Sequence, residues 1–75
     1  MSAMPTPGAA TLTVNGDVLA YEDSVTLGAL LARLAVRSER VVVELNGTIY
    51  RRGEGLDQAI KPGDVVEIVH FVGGG

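Results

Sequence analysis

The chain has 75 residues, a net charge of −3, no cysteine and a single histidine. That length supports one domain with a thin core, and its acidic balance works against binding phosphate backbones, and so against a nucleic-acid partner. The missing thiols exclude disulfides and thiolate nucleophiles, a lone histidine cannot supply a zinc site, and no apolar run approaches the roughly 18 residues of a membrane span.

Residues 1–9 hold two prolines, a glycine and small residues without periodicity, which predicts a mobile leader. No basic stretch leads into an apolar one, so no export signal is expected and the chain is assigned to the cytoplasm. Leu12 and Val14 alternate with Thr11 and Thr13, the pattern of a half-buried strand. Asn15-Gly16 marks a hairpin. A two-residue loop sets Val14 opposite Asp17, with a carboxylate on the apolar face. A four-residue loop over residues 15–18 sets Val14 opposite Leu19 and Leu12 opposite Tyr21. Cross-strand partners share a face, so the longer loop is expected, with Asp17, Glu22 and Asp23 as turn and surface charges.

Leu27, Leu30, Leu31 and Leu34 follow the i, i+3, i+4, i+7 spacing of one helical face. Thr26 is the expected N-cap, Val25 and Leu30 form a hydrophobic staple, and the helix is expected to end near Ala35. Val41, Val43 and Leu45 alternate with Val42 and Glu44 in a third strand that stops at Asn46-Gly47. Residues 48–50 make a short edge strand. Residues 51–55 make a loop whose Arg51-Arg52 pair reads as solvated charge. Residues 56–60 suit a single helical turn. Lys61-Pro62-Gly63-Asp64 is a turn, and residues 65–72 are the last and most apolar strand. The first and last strands are expected at the centre of a mixed sheet of four to five strands, with the helix across one face, an α+β architecture. The expected core is Leu12, Val14, Leu27, Leu30, Leu31, Leu34, Val43, Leu45, Val66 and Ile68. His70 shares parity with Val66 and Ile68 and is expected to be packed or hydrogen-bonded.

The other face of the last strand carries Val65, Val69 and Phe71, and Val42 on the neighbouring strand points the same way. Exposed apolar patches of this kind mark protein interfaces, so Val42, Val69, Phe71 and Val72 are the candidate partner surface. The patch adjoins Gly73, Gly74 and Gly75, a tail without side chains that can thread a narrow channel and is expected to be mobile. No acid–base pair or cofactor loop is present, so the chain is not expected to be an enzyme.

The segments Val14-Asn15-Gly16, the leucine helix from Thr26, Val-Glu-Leu-Asn-Gly and Lys61-Pro-Gly-Asp-Val-Val-Glu-Ile-Val, ending in Val72-Gly-Gly-Gly, resemble the ThiS sulfur carriers of thiamin biosynthesis over residues 11–75. The resemblance implies a β-grasp, ubiquitin-like domain over residues 10–72 and a reactive tail over residues 73–75. It implies that an E1-like, ThiF-like adenylyltransferase uses ATP to adenylate the Gly75 carboxylate and that sulfur from a donor protein then makes a thiocarboxylate. A ThiG-like thiazole synthase takes that sulfur. The carrier itself is expected to bind no cofactor and no metal. A carrier for molybdopterin or another sulfur-containing metabolite, and a ubiquitin-like binding or tagging domain, remain alternatives on these residues.

Overall fold

The computed structural model describes residues 9–22 and 25–71; the leader up to Gly8, Asp23 and Ser24, and residues 72–75 lie outside them. The chain forms β1 (Thr11–Val14), β2 (Asp17–Ala20), α1 (Leu27–Arg33), a 3₁₀ turn over Ser38–Arg40, β3 (Val41–Leu45), β4 (Thr48–Tyr50) and β5 (Val65–His70). The sheet has five strands in the order β2-β1-β5-β3-β4. β1 and β5 run parallel, and the remaining pairs are antiparallel. The first and last strands therefore lie side by side inside the sheet, as their apolar patterns require, and β5 is central.

Alternation decides what each strand buries. Leu12 and Val14 of β1, Val43 and Leu45 of β3, and Val66 and Ile68 of β5 are buried with Leu27, Leu30 and Leu31 of α1. Leu34 is only partly buried, because it is the C-cap residue where α1 stops. Val41 and Ile60 join the core at 1% exposure each. Val41 shares the inward parity of Val43 and Leu45.

Ile60 arrives by a different route from the helical turn expected over residues 56–60. That segment is not helical. Ala59 forms an isolated bridge with Thr26, and the Ile60 amide donates to the Val25 carbonyl at 3.0 Å. The physical reason lies at the start of α1, whose first amides have no partner within the helix. Leu27 N–H donates to the Gln58 carbonyl and Gly28 N–H to the Leu56 carbonyl, each at 2.8 Å. Thr26 Oγ1 accepts from Ala29 N–H at 3.1 Å, as expected of the N-cap. Carbonyls that serve α1 in this way cannot serve a helix of their own. Gly28 permits the approach, since a Cβ there would lie 3.0 Å from the Leu56 oxygen.

The β1–β2 hairpin uses the two-residue loop, with Leu12 opposite Leu19 and Val14 opposite Asp17. Asn15 and Gly16 take φ of 49° and 85°, the left-handed pair of a tight hairpin turn that matches strand twist. The carboxylate that argued for the longer loop is not buried. β2 is an edge strand and Asp17 sits exposed at its first position, beside the turn. β5 ends at His70 rather than residue 72, although Phe71 N–H still donates to the Arg40 carbonyl at 3.1 Å.

The helix terminus carries a testable strain. Ala35 N–H donates to Ala32 and Val36 N–H to Leu31, the two bonds of a Schellman motif, which places Ala35 at the position glycine favours. Its φ is 58°, and left-handed backbone costs a non-glycine residue about 1–2 kcal/mol. Ala35→Gly is expected to stabilise the domain by about 0.5–1 kcal/mol in urea unfolding, the relief being partly offset by the freer unfolded chain.

Candidate functional site

The face of the sheet turned away from α1 is open. On it Val42 of β3 stands directly opposite Val69 of β5, half-buried and 62% exposed respectively. Phe71 follows at the end of β5 with 44% of its surface exposed. The sequence-predicted patch of Val42, Val69 and Phe71 is thus brought together where the chain runs on toward the tail. Val72, Gly73, Gly74 and Gly75 lie outside the described residues.

Three features of this region were not read from the sequence. Arg52, expected as a solvated charge, holds its guanidinium carbon 4.3 Å from the centroid of the Phe71 ring, a cation–π contact. The 51–57 loop brings it there, anchored by Gly53 N–H donating to the Ser38 carbonyl at 3.1 Å. Ile49 adds to the apolar face at 59% exposure; the two-residue turn at Asn46-Gly47 puts it opposite Glu44, and that register was the available signal. The third feature is what fixes the two ends of β5. Beyond the β1–β5 ladder, Asn15 Oδ1 accepts from Ile68 N–H at 2.6 Å and Asn15 Nδ2 donates to the Ile68 carbonyl at 3.3 Å. One side chain thereby extends the pairing toward the tail end. At the other end Asn46 Oδ1 accepts from Val65 N–H at 2.8 Å, and Asn46 Nδ2 donates to Asp64 Oδ1 at 2.9 Å. Both asparagines read in the sequence only as turn formers.

His70 departs from expectation. It is exposed at the end of the β3–β5 ladder, opposite Val41. Its parity matches Ile68, yet it lies at the strand's last position, on the rim of a groove of roughly 230 Å³ shared with Leu34 and Val36. Among the described residues no group of three or more potential ligands is placed to hold a metal. The Glu39 carboxyl is held below the usual carboxylate range, first by a backbone hydrogen bond and then by Arg37, whose guanidinium lies 3.0 Å away. Both side chains are exposed, and the pair is a surface feature of the 3₁₀ turn. What the region offers is a firmly held strand end, an apolar face and a cation beside it.

The sequence pattern of the ThiS family matches residues 10–75. The chain belongs to the ThiS family. It is 40% identical over 65 residues to the sulfur carrier protein ThiS of Bacillus subtilis (strain 168), covering 85% of this chain and 98% of that one. It is 41% identical over 64 residues to the thiazole synthase of Paramagnetospirillum magneticum, covering 85% of this chain but 20% of that protein. The thiazole synthase of Magnetococcus marinus is 37% identical over 62 residues, and 19% of its length is covered. The chain thus spans about a fifth of each of these synthases. The crystal structure of thiamine biosynthesis protein ThiS from Geobacter metallireducens superposes with a TM-score of 0.70 at 40% identity, covering 87% of this chain and 99% of that one. The fold is the β-grasp of the ThiS proteins. No helix among the described residues is long and apolar enough to cross a membrane.

Proposed function

We propose that the chain is a cytoplasmic sulfur carrier of thiamine biosynthesis, with the carboxylate of Gly75 as its reacting group. The observation that supports this most directly is the family match running through the glycine tail to residue 75. A carboxylate is a poor acylating agent. Attack by its oxygen on the α-phosphorus of ATP, in an E1-like, ThiF-like adenylyltransferase, expels pyrophosphate and leaves an acyl adenylate. The outer sulfur of a donor protein's persulfide then attacks the acyl carbon and AMP departs, leaving an acyl disulfide; a thiol attacks the donor's sulfur, breaks the S–S bond to form a new disulfide, and releases the thiocarboxylate. That group is anionic at neutral pH and hands its sulfur to a thiazole synthase. The carrier is a co-substrate of both enzymes and needs no side-chain base of its own.

The thiazole synthase is favoured as acceptor because the two synthases named above each contain a segment resembling this chain, and the relatives named for thiamine biosynthesis favour it over a molybdopterin pathway. The open sheet face with Val42, Val69 and Phe71 serves as the docking surface, with Val72 of the sequence-predicted patch lying outside the described residues, and it supplies affinity that the tail lacks. Incubation with the adenylyltransferase, Mg-ATP and sodium sulfide is expected to add about 16 mass units and create an alkylatable thio acid, which separates it from a methionine sulfoxide of the same nominal mass. Absence of any alkylatable product would overturn the carrier reading.

A further inference from the structure

Glu44 of β3 and Glu67 of β5 are direct cross-strand partners, both exposed, on the face turned away from α1. Apolar side chains surround them. Val42 faces Val69 on the side toward the tail, Ile49 stands opposite Glu44 on β4, and Val65 precedes Glu67 on the same face at 46% exposure. Among the described residues the one ion pair is Arg37–Glu39, so no cation of this domain bridges the two carboxylates. Like charges directly opposite in a sheet are destabilising. The domain therefore holds two repelling carboxylates in the middle of an apolar surface, while Arg52 sits over Phe71 at the surface's tail end.

We propose that Glu44 and Glu67 together receive an arginine or lysine side chain of the adenylyltransferase that docks on this face; the inference rests on the reading of the face as a docking surface. A cation set between the two carboxylates replaces their repulsion with charge-assisted hydrogen bonds, and the surrounding valines exclude water from it on docking. Charge complementarity fixes orientation more than it adds affinity. With its cation over the glutamates and an acidic group near Arg52, the partner seats in one direction only, the one that points the tail into its site. A second copy of this chain fits poorly, since a two-fold pairing centred here brings four carboxylates into one apolar layer.

The test compares the full chain with E44Q/E67Q, E67K and F71A, each in ATP–pyrophosphate exchange with the adenylyltransferase. The E44Q/E67Q variant is expected to unfold about 2–4 °C higher than the parent, because the repulsion is gone. Its half-saturating carrier concentration is expected to rise about tenfold with an unchanged maximal rate. E67K places a cation beside Glu44, so it folds well yet repels the partner's cation, and its half-saturation is expected to rise further. Parent-like half-saturation in both glutamate variants, with F71A impaired, overturns the proposal and leaves the docking surface standing. Parent-like half-saturation in all three variants overturns the docking surface itself.

Discussion

Removing Gly75 is expected to lower ATP–pyrophosphate exchange by more than about 100-fold while leaving the unfolding curve of the domain unchanged. The size follows from geometry. One residue fewer draws the terminal carboxylate back by up to about 3.5 Å, whereas a misplacement of about 1 Å already costs on the order of 100-fold in a positioned reaction. The fold is untouched because the core closes at Ile68 and Val41, well before the tail. A half-saturation that stays at the parent value, with only the maximal rate lost, places the defect in chemistry rather than docking. Normal exchange by the truncated carrier would remove the terminal carboxylate from the mechanism.

The strands and α1 were legible because each obeys one period. The inward parity of Val66 and Ile68 predicted the outward parity of Val69 and Phe71, and with it the exposed patch. What was not legible depends on partners remote in sequence. Ile60 belongs to the core because residues 56–60 answer the bare amides of α1, some 30 residues earlier, and no local pattern announces that. The hairpin loop was misjudged because the sequence does not reveal that β2 lies at an edge, where an aspartate opposite Val14 stays wet. Arg52 on Phe71 and Asn15 on Ile68 are likewise products of the assembled sheet. Val42, Val69 and Phe71 were thus readable from alternation, and Ile49 and the polar partners of the site were not.

The largest expected loss of stability from a single methyl group is at Gly55, in the loop that carries Arg52. Gly55 has φ of 68°, and a Cβ there would meet the Tyr50 ring, 2.3 Å from Cδ1 and 2.8 Å from Cγ. The ring has little freedom to withdraw. Tyr50 is paired with Val43 through the backbone and packs on the core, and its hydroxyl bonds Gln58 Oε1 at 3.3 Å. Gln58 is tied in turn to Gly55, its amide donating to that carbonyl at 2.9 Å, while its own carbonyl accepts from Leu27 at the start of α1. Displacing Tyr50 therefore pulls on the segment that caps the helix. The left-handed backbone costs alanine about 1–2 kcal/mol and the overpacking about 1–3 more, less the gain from a stiffer unfolded chain. Gly55→Ala is expected to destabilise by roughly 2–4 kcal/mol, a large part of the stability of so small a domain. Gly47→Ala is the matched control. Its φ is 90° with nothing within 4 Å of the added atom, so only the backbone term applies, about 1 kcal/mol after the unfolded-state offset. Urea unfolding of the two variants side by side isolates the contact with Tyr50; equal losses would mean that the ring swings aside freely and that the loop holding Arg52 over Phe71 is not braced by Gly55.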